Sequence, residues 1–344
     1  MCWRLSADLA SRGHRVRLWV DDASALRWMA PHGHSGVQVH AWPSEPCAYG
    51  DGADVVIEAF GCELPESVQA RIAAQSQSPQ TAPIWINLEY LSAEPYVERQ
   101  HGLPSPVLSG PAQGCTKWFF FPGFTERTGG LLRETDLLDR RSHWDPQPWL
   151  HQRWPGLHPQ GRKVSLFCYE PAGLVPLLQQ WASRPQPMDL LVTAGRTERA
   201  MDQALAALGW DTATPAHLQI HRLPWLTQTE YDHLLWSCDL NFVRGEDSLV
   251  RALWAGQPFI WNIYAQSDDA HHPKLQAFLD WLQAPAAWRA AHLAWNGIGP
   301  ASMPDPMEHW ADWQAHWRTQ RLHSVAQPDL LTRLWDWMAP LVRR

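Results

Sequence analysis

The stretch DLNFVRGEDSLVRALWAG, residues 239–256, contains in close succession the signals of a strand, a tight turn and a helix. Apolar side chains alternate up to Arg244, and apolar side chains with helical spacing begin directly after Ser248. Such a turn can bind an anion, because backbone N–H groups and the positive end of the helix dipole meet there. Arg244 adds a positive charge, and Gly245 allows the backbone to approach a ligand closely. The stretch therefore predicts a diphosphate site within an α/β fold.

Two carboxylates in the same turn leave a second interpretation open. Glu246 and Asp247 would repel phosphate, so they either cap the helix or address a cationic or hydroxylated part of a ligand. Asp, Ser and Glu are common at the start of any helix, so the spacing alone is equally compatible with a plain capped helix. Three similar units precede the turn in the same half of the chain. They favour a ligand site, because ligands of open parallel sheets bind at the carboxyl ends of the strands.

The composition is that of a folded protein of about two domains. Of the 344 residues, 45% are hydrophobic and 18% are charged, which supports sizeable cores and excludes a disordered chain. The formal net charge of -7 argues against nucleic acid or an anionic membrane as a partner. No apolar run approaches the roughly 18 residues that span a bilayer, and no signal peptide is recognisable. We therefore expect a cytoplasmic protein.

The 6 cysteines are scattered and include no Cys-x-x-Cys pair. This spacing predicts reduced thiols that mostly pack in cores, and it argues against a zinc site or a disulfide framework. The cysteines are Cys2, Cys47, Cys62, Cys115, Cys168 and Cys238.

Two series of alternating strand and helix signals divide the chain into two Rossmann-like domains. The first covers residues 1–150 and begins with a helix that leads into the strand Val16–Val20. In a βαβ unit a strand precedes such a helix, and the printed chain has no residues for a strand before it. We therefore expect this domain to lack its first strand. The second domain covers residues 151–325, and a last helix within residues 326–344 is expected to pack on the first domain. Residues 133–159, rich in charge, Pro and Trp, are predicted to connect the two domains.

Several sequence words resemble those of one enzyme family. In chain order they are NLEYLSAE (87–94), HGLPSP (101–106), FFFPGF (119–124), FCYE (167–170), RGEDS (244–248) and IY (263–264). They extend over nearly the whole chain, and they resemble the arginine rhamnosyltransferases of elongation factor P, the EarP family. The resemblance implies the GT-B fold, in which two Rossmann-like domains face each other across a cleft. It also implies transfer of L-rhamnose from TDP-β-L-rhamnose to one arginine of elongation factor P, with inversion.

The resemblance also assigns roles to residues of the second domain. It places the thymine base between Phe167 and Trp225, where Trp225 stands in place of the more usual Phe. Core packing is the alternative role for the aromatic residues of this set. Further assigned residues are Tyr169 and Gln228 at the nucleotide or sugar, Arg244, Asp247, Ser248 and Tyr264 at the diphosphate and rhamnose, and Glu246 at the sugar or the leaving group.

The acceptor explains why acidic residues are needed. A guanidinium is a poor nucleophile, because its lone pairs are delocalised and its pKa exceeds about 12. Carboxylates must orient it, localise its charge and take a proton as the bond forms. Glu246 and Asp247 are the catalytic candidates that this chain offers. We expect no metal ion and no cofactor, because Arg244 and the helix N-terminus can stabilise the leaving diphosphate; the acids and histidines of residues 268–272 are interpreted as solvated caps.

One departure from the family affects catalysis. Before the word CWRL, here residues 2–5, members of the family carry a strand and a glycine-rich loop whose aspartates act as base and acceptor anchor. We expect an upstream start to supply this loop, and we expect the chain as printed to bind TDP-rhamnose but to modify elongation factor P poorly. Two alternatives stay open. One is a protein that binds the sugar nucleotide or elongation factor P without turnover, and the other is a GT-B glycosyltransferase with another acceptor.

Overall fold

Strands and helices alternate through residues 1–42, 52–210, 212–299 and 303–342, which the computed structural model describes. The strands are β1 (Val16–Val20), β2 (Val37–Ala41), β3 (Val55–Ala59), β4 (Ile84–Leu88), β5 (Pro104–Pro106), β6 (Thr116–Phe120), β7 (Arg162–Leu166), β8 (Met188–Val192), β9 (Leu218–Arg222), β10 (Leu240–Arg244) and β11 (Phe259–Asn262). The helices are α1 (Cys2–Ser11), α2 (Leu26–Met29), α3 (Glu66–Gln75), α4 (Pro95–Gln100), α5 (Leu137–Ser142), α6 (Pro146–Arg153), α7 (Leu174–Ala182), α8 (Arg196–Leu208), α9 (Gln228–Ser237), α10 (Gly245–Ala255), α11 (His271–Trp281), α12 (Ala286–Trp295), α13 (Trp310–Ala326) and α14 (Leu330–Val342).

The chain divides into two units, and each is continuous in space but not in sequence. The first unit consists of Met1–Ser24, Gly33–Glu134 and Gln327–Arg344. The second consists of Ala25–His32 and Thr135–Ala326. The short helix α2 therefore groups with the second unit, although it lies between two strands of the first. The boundary between the two units lies between Glu134 and Thr135, inside the predicted connector but before the predicted domain boundary at residue 150.

The first unit contains two separate sheets. Strands β1 and β2 form a parallel pair, and the other sheet has the order β3-β4-β6-β5, with β5 antiparallel to β6. One face of the larger sheet is covered by α14, whose buried residues Leu330, Leu331 and Leu334 share a core with Ile86 and Phe120. The last helix of the chain is thus part of the core of the first unit.

The second unit is built on one parallel sheet with the order β11-β10-β7-β8-β9. Strands β8 and β11 are buried along their whole length, as expected for a parallel sheet that is covered on both faces. The chain builds β7, β8 and β9 outward in one direction and then continues with β10 on the other side of β7. The strand order therefore reverses beside β7, and this switch point is where open α/β sheets bind ligands. The predicted α/β fold class is confirmed.

The predicted connector is not irregular, because it contains α5 and α6. Helix α6 begins where Asp145 accepts a hydrogen bond from the backbone N–H of Gln147 at 3.0 Å and Pro146 follows. An Asp N-cap followed by Pro at the first helical position is a helix start, and the Pro-rich composition concealed it.

None of the five cysteines within the described ranges forms a disulfide, and Cys168 and Cys238 are buried; Cys47 lies outside the described residues. No helix in the described part of the chain is long and apolar enough to cross a membrane.

Candidate functional site

The predicted site residues all belong to the second unit, and they follow the carboxyl ends of its strands or begin the helices after them. Seven of them surround the switch point between β7 and β10 or lie in the first turn of α10. Tyr264 follows β11, Trp225 follows β9, and Gln228 is the first residue of α9. The full set is Phe167, Tyr169, Trp225, Gln228, Arg244, Gly245, Glu246, Asp247, Ser248 and Tyr264.

The turn expected between strand and helix is itself helical, because α10 begins at Gly245 directly after β10. Gly245 has φ +63°, a conformation that favours glycine, and a Cβ here would lie 3.2 Å from the hydroxyl of Tyr169. Ser248 Oγ accepts from the backbone N–H of Arg244 at 3.0 Å and donates to the carbonyl of Arg244. The indole of Trp261 donates to the carbonyl of Gly245 at 2.9 Å. These contacts fix the first turn, and the N–H groups of a first turn have no partner within their own helix.

Arg244 occupies the N-cap position, where its side chain makes no capping hydrogen bond. Its guanidinium carbon lies 4.3 Å from the ring centre of Phe167 and 4.8 Å from that of Tyr169. Its Nη1 donates to the carbonyl of Cys168 at 3.0 Å. Within the described ranges, no carboxylate contacts this guanidinium. Burial lowers the pKa of Arg244, yet the ordinary value is so high that the group stays charged.

Tyr169 joins the neighbouring strand ends. Its backbone N–H donates to the side-chain oxygen of Asn262, the last residue of β11, at 2.8 Å. Its ring meets the ring of Tyr264 edge to face at 5.6 Å, and Tyr264 is 60% exposed. Arg196, the first residue of α8, lies with its guanidinium carbon 4.9 Å from the Tyr169 ring centre. Burial raises the pKa of the Tyr169 hydroxyl, so this group is a hydrogen-bond donor at neutral pH.

The two aromatic residues that the resemblance assigns to the base have different neighbours. Phe167 meets the ring of Tyr231 edge to face at 5.4 Å. Trp225 is 56% exposed, and its ring centre lies 4.6 Å from that of Trp28 at an interplanar angle of 38°. A Cβ on Gly195 would come within 2.8 Å of the Trp225 ring. Because β9 is separated from β7 by β8, the structure brings Phe167 together with Arg244 and Tyr169, and it leaves Trp225 two strands away.

The two acidic candidates have different environments. Glu246 Oε1 forms an ion pair with Lys274 Nζ at 2.7 Å, and about four fifths of each side chain is buried. Asp247 is half-buried in the first turn of α10. Burial raises the pKa of Tyr231, and the charge of Asp247 adds to this effect. Glu246 is therefore oriented by a fixed cation, whereas Asp247 acts on the phenol behind the turn.

Four residues of the site were not predicted from the sequence. Tyr231 is three residues after Gln228 in α9, and this spacing on one helix face was the signal that could have identified it. Arg196, Lys274 and Trp28 lie in other elements, and no local pattern connects them with the turn of α10.

Residues 268–272 bring three side chains of metal-binding types close together. One ligand atom each from Asp269, His271 and His272 lies within 4.8 Å of the others. However, His271 Nδ1 accepts a hydrogen bond from the backbone N–H of Gln266 at 3.1 Å, so the lone pair of that nitrogen is already used. Asp268 Oδ1 accepts from the backbone N–H of Ala270 at 3.2 Å in the turn before α11, whose N-cap is Ala270 and has no side-chain cap.

Two Rossmann-like units in one chain, the second with an arginine and a helix N-terminus at the switch point of its sheet, are the arrangement of the GT-B class of glycosyltransferases. Over residues 1–339 the chain matches the family described as "Elongation-Factor P (EF-P) rhamnosyltransferase EarP". The chain belongs to this family, and it is a glycosyltransferase.

Individual relatives agree with the family match. The chain is 43% identical to a protein-arginine rhamnosyltransferase of Pseudomonas putida, over 96% of this chain and 92% of the relative. It is 40% identical to the protein of the same name from Pseudomonas aeruginosa, over 96% and 93%. A solved structure from work on EarP-mediated arginine glycosylation of translation elongation factor EF-P is similar with a TM-score of 0.59 and 28% identity. That match covers 94% of this chain and 98% of the solved one.

Proposed function

We propose that this protein is an inverting glycosyltransferase that transfers L-rhamnose from TDP-β-L-rhamnose to an arginine side chain of elongation factor P. Membership of the family supports the reaction and the acceptor. The donor is supported by one observation above the others: the half-buried guanidinium of Arg244 lies on two aromatic rings beside the N-terminus of α10, and within the described ranges no carboxylate contacts it. A diphosphate supplies the missing negative charge.

The nucleotide and the sugar then occupy neighbouring strand ends. Thymine stacks on Phe167 or Trp225, and the diphosphate lies between Arg244 and the backbone N–H groups that follow Gly245. Ser248, Tyr169, Tyr264 and Gln228 contribute hydrogen bonds or ring contacts around the diphosphate and rhamnose. In this proposal Arg244 and the dipole of α10 stabilise the departing diphosphate, so no metal ion or cofactor is required.

The acidic residues act on the sugar and the acceptor. Glu246, oriented by Lys274, positions the rhamnose or the leaving group. Asp247 is the second candidate for orienting the acceptor guanidinium and for taking its proton. Attack by the guanidinium nitrogen on the anomeric carbon breaks the bond to the diphosphate, and the nitrogen loses its proton to a carboxylate. Because attack occurs on the face opposite the leaving group, the β-linked donor gives an α-linked product.

The partners follow from the acceptor. Elongation factor P is a translation factor, so we propose that the reaction takes place in the bacterial cytoplasm. The net charge of -7 argues against nucleic acid and an anionic membrane, and we propose neither as a partner.

The test combines the protein with TDP-β-L-rhamnose and elongation factor P, and mass spectrometry measures the acceptor. We expect a gain of one deoxyhexose on a peptide that contains arginine. Glu246→Gln should lower turnover by about 10²-fold or more while the affinity for TDP stays near that of the wild type. Glu198→Gln, a neutralisation on the surface of α8, is the matched control. Binding of TDP-rhamnose without any mass gain would favour the binding protein without turnover, and modification of another acceptor would favour the second alternative.

A further inference from the structure

A second arginine lies near the proposed diphosphate position, paired with a carboxylate. Arg196 follows Gly195 as the first residue of α8, at the carboxyl end of β8. Its Nε and Nη2 donate to the two carboxylate oxygens of Glu170 at 2.8 and 2.7 Å. The side chains of Arg196 and Glu170 are 42% and 49% exposed. The contact is therefore a two-pronged ion pair that solvent can reach on both sides.

The same arginine shares an aromatic ring with Arg244. The guanidinium carbons of Arg196 and Arg244 lie 4.9 and 4.8 Å from the ring centre of Tyr169. The hydroxyl of that ring lies close to Gly245, where α10 begins. Burial lowers the pKa of Arg244, and the positive charge of Arg196 adds to this effect, so the two cations repel each other. A dianion between them would remove this repulsion.

We propose that Arg196 is a second phosphate-binding cation of the donor site, which Glu170 holds while the site is empty and releases when a nucleoside diphosphate binds. The inference rests on the proposed function, because it assumes a nucleoside diphosphate at the N-terminus of α10. The planar fork of an arginine matches the oxygens of a phosphate as well as those of a carboxylate. The exchange is inexpensive, because an exposed ion pair contributes little net stability. Glu170 thus acts as a substitute for phosphate.

The two partners predict opposite effects. Arg196→Gln should weaken the binding of TDP by about tenfold, which is typical for the loss of one charge-assisted contact. Glu170→Gln should strengthen the binding of TDP by a few fold, because Arg196 no longer has to leave its carboxylate. Calorimetric titration with TDP and with thymidine measures both effects. The affinity for thymidine should stay the same in both variants, because thymidine has no phosphate.

The double variant separates this mechanism from a simple effect of charge. If Glu170 acts through Arg196, Glu170→Gln has no effect on TDP binding once Arg196→Gln is present. If Glu170 acts only by repelling phosphate, it strengthens binding equally in both backgrounds, and the proposal is overturned. Arg162→Gln, which removes a comparably exposed, ion-paired arginine at the opposite end of β7, changes the net charge by the same amount and should leave the affinity for TDP unchanged. Equal TDP affinity of wild type and Arg196→Gln would refute the inference alone, whereas a wild type that fails to bind TDP would refute the proposed function.

Discussion

Arg244 is the residue on which the donor site depends most directly. It contacts the two rings that follow β7 and lies at the start of α10. Arg244→Ala should weaken TDP and TDP-rhamnose by the same factor of about tenfold or more, because the lost contact is made to the diphosphate that both ligands share. Calorimetric titration of both ligands measures this. Arg222→Ala, an exposed arginine at the end of β9, is the control, and equal affinity of wild type and Arg244→Ala would exclude the assignment.

Trp225 tests how the base is recognised. Trp225→Ala should weaken TDP binding by about tenfold, since stacking on one aromatic ring contributes roughly 1–3 kcal/mol. Trp225→Phe should stay near the wild type, because an aromatic face remains. Calorimetric titration of the variants with TDP measures binding without the fluorescence signals of the other tryptophans. Unchanged binding by Trp225→Ala would assign the base to Phe167 and its neighbour Tyr231 instead.

The position of the residues around the first turn of α10 was predictable from the sequence. Arg244, Gly245 and Ser248 lie within five consecutive residues. A strand pattern ends and a helix pattern begins there, and this change of pattern indicated their place at the edge of a sheet. Lys274 and Trp28 could not be identified in this way. They reach Glu246 and Trp225 from distant parts of the chain, and such contacts depend on tertiary packing.

At the scale of elements, the alternation of strands and helices was easier to predict than the residues at which the helices begin. Strands of the second unit contain short apolar runs, at residues 190–192 of β8 and 259–261 of β11, and such runs suit a parallel sheet that is covered on both faces. The start of α10 was placed too late because the sequence cannot show that Gly245 adopts a positive φ and lets the helix follow β10 without a loop. Conversely, α5 and α6 were missed because both helices are short and lie in a stretch rich in charge, Pro and Trp.

Helix α14 offers a test of how one element is fixed. Asp329 accepts from the backbone N–H groups of Leu331 and Thr332 at 3.0 and 3.1 Å, and from Arg12, the residue that follows α1, at 2.7 Å. Asp329→Ala should destabilise the first unit by about 1–3 kcal/mol, because it removes a helix cap and leaves a half-buried arginine with one partner fewer. Hydrogen exchange followed by mass spectrometry should show faster exchange in α14 and α1. Asp336→Ala, on the exposed face of the same helix, should exchange like the wild type, and faster exchange in both variants would contradict the role of the cap.

At the scale of the whole molecule, a buried carboxylate is expected to make the second unit sensitive to acid. Asp189 on β8 is fully buried and lies 3.0 Å from His158 Nδ1 and from His221 Nε2 of β9, and 3.5 Å from Lys163 Nζ of β7. Burial opposes its ionisation, but the hydrogen bonds from His221 and His158 and the charge of Lys163 outweigh burial and lower its pKa.

A lowered pKa in the folded state means that the carboxylate contributes stability above its unfolded pKa of about 3.9, and that this contribution is lost as the pH falls further. We expect the free energy of unfolding of the wild type to fall steeply below about pH 4. Asp189→Asn should be less stable at pH 7 and should lose less stability over the same acid range. Urea unfolding at a series of pH values measures both slopes, and parallel slopes would show that Asp189 carries no such linkage.

The arrangement of the chain into two Rossmann-like units was predictable from the alternation of strands and helices, but the membership of some segments was not. Residues 25–32 group with the second unit although both neighbouring strands belong to the first. Local periodicity reports which residues form a helix, and it carries no information on which sheet that helix will join. Only the packed structure resolves such a choice, here through the contact between Trp28 and Trp225.

The place of α14 in the core of the first unit has a consequence during synthesis. A ribosome makes β4 and β6 early, but it reaches Leu330 and Leu334 only after the whole stretch 135–326 of the second unit. At about 5–20 residues per second, this interval lasts on the order of ten seconds or more. During this interval Ile86 and Phe120 lack the helix that covers them. The first unit is therefore begun first and completed last. We expect a nascent-chain chaperone to bind its uncovered sheet.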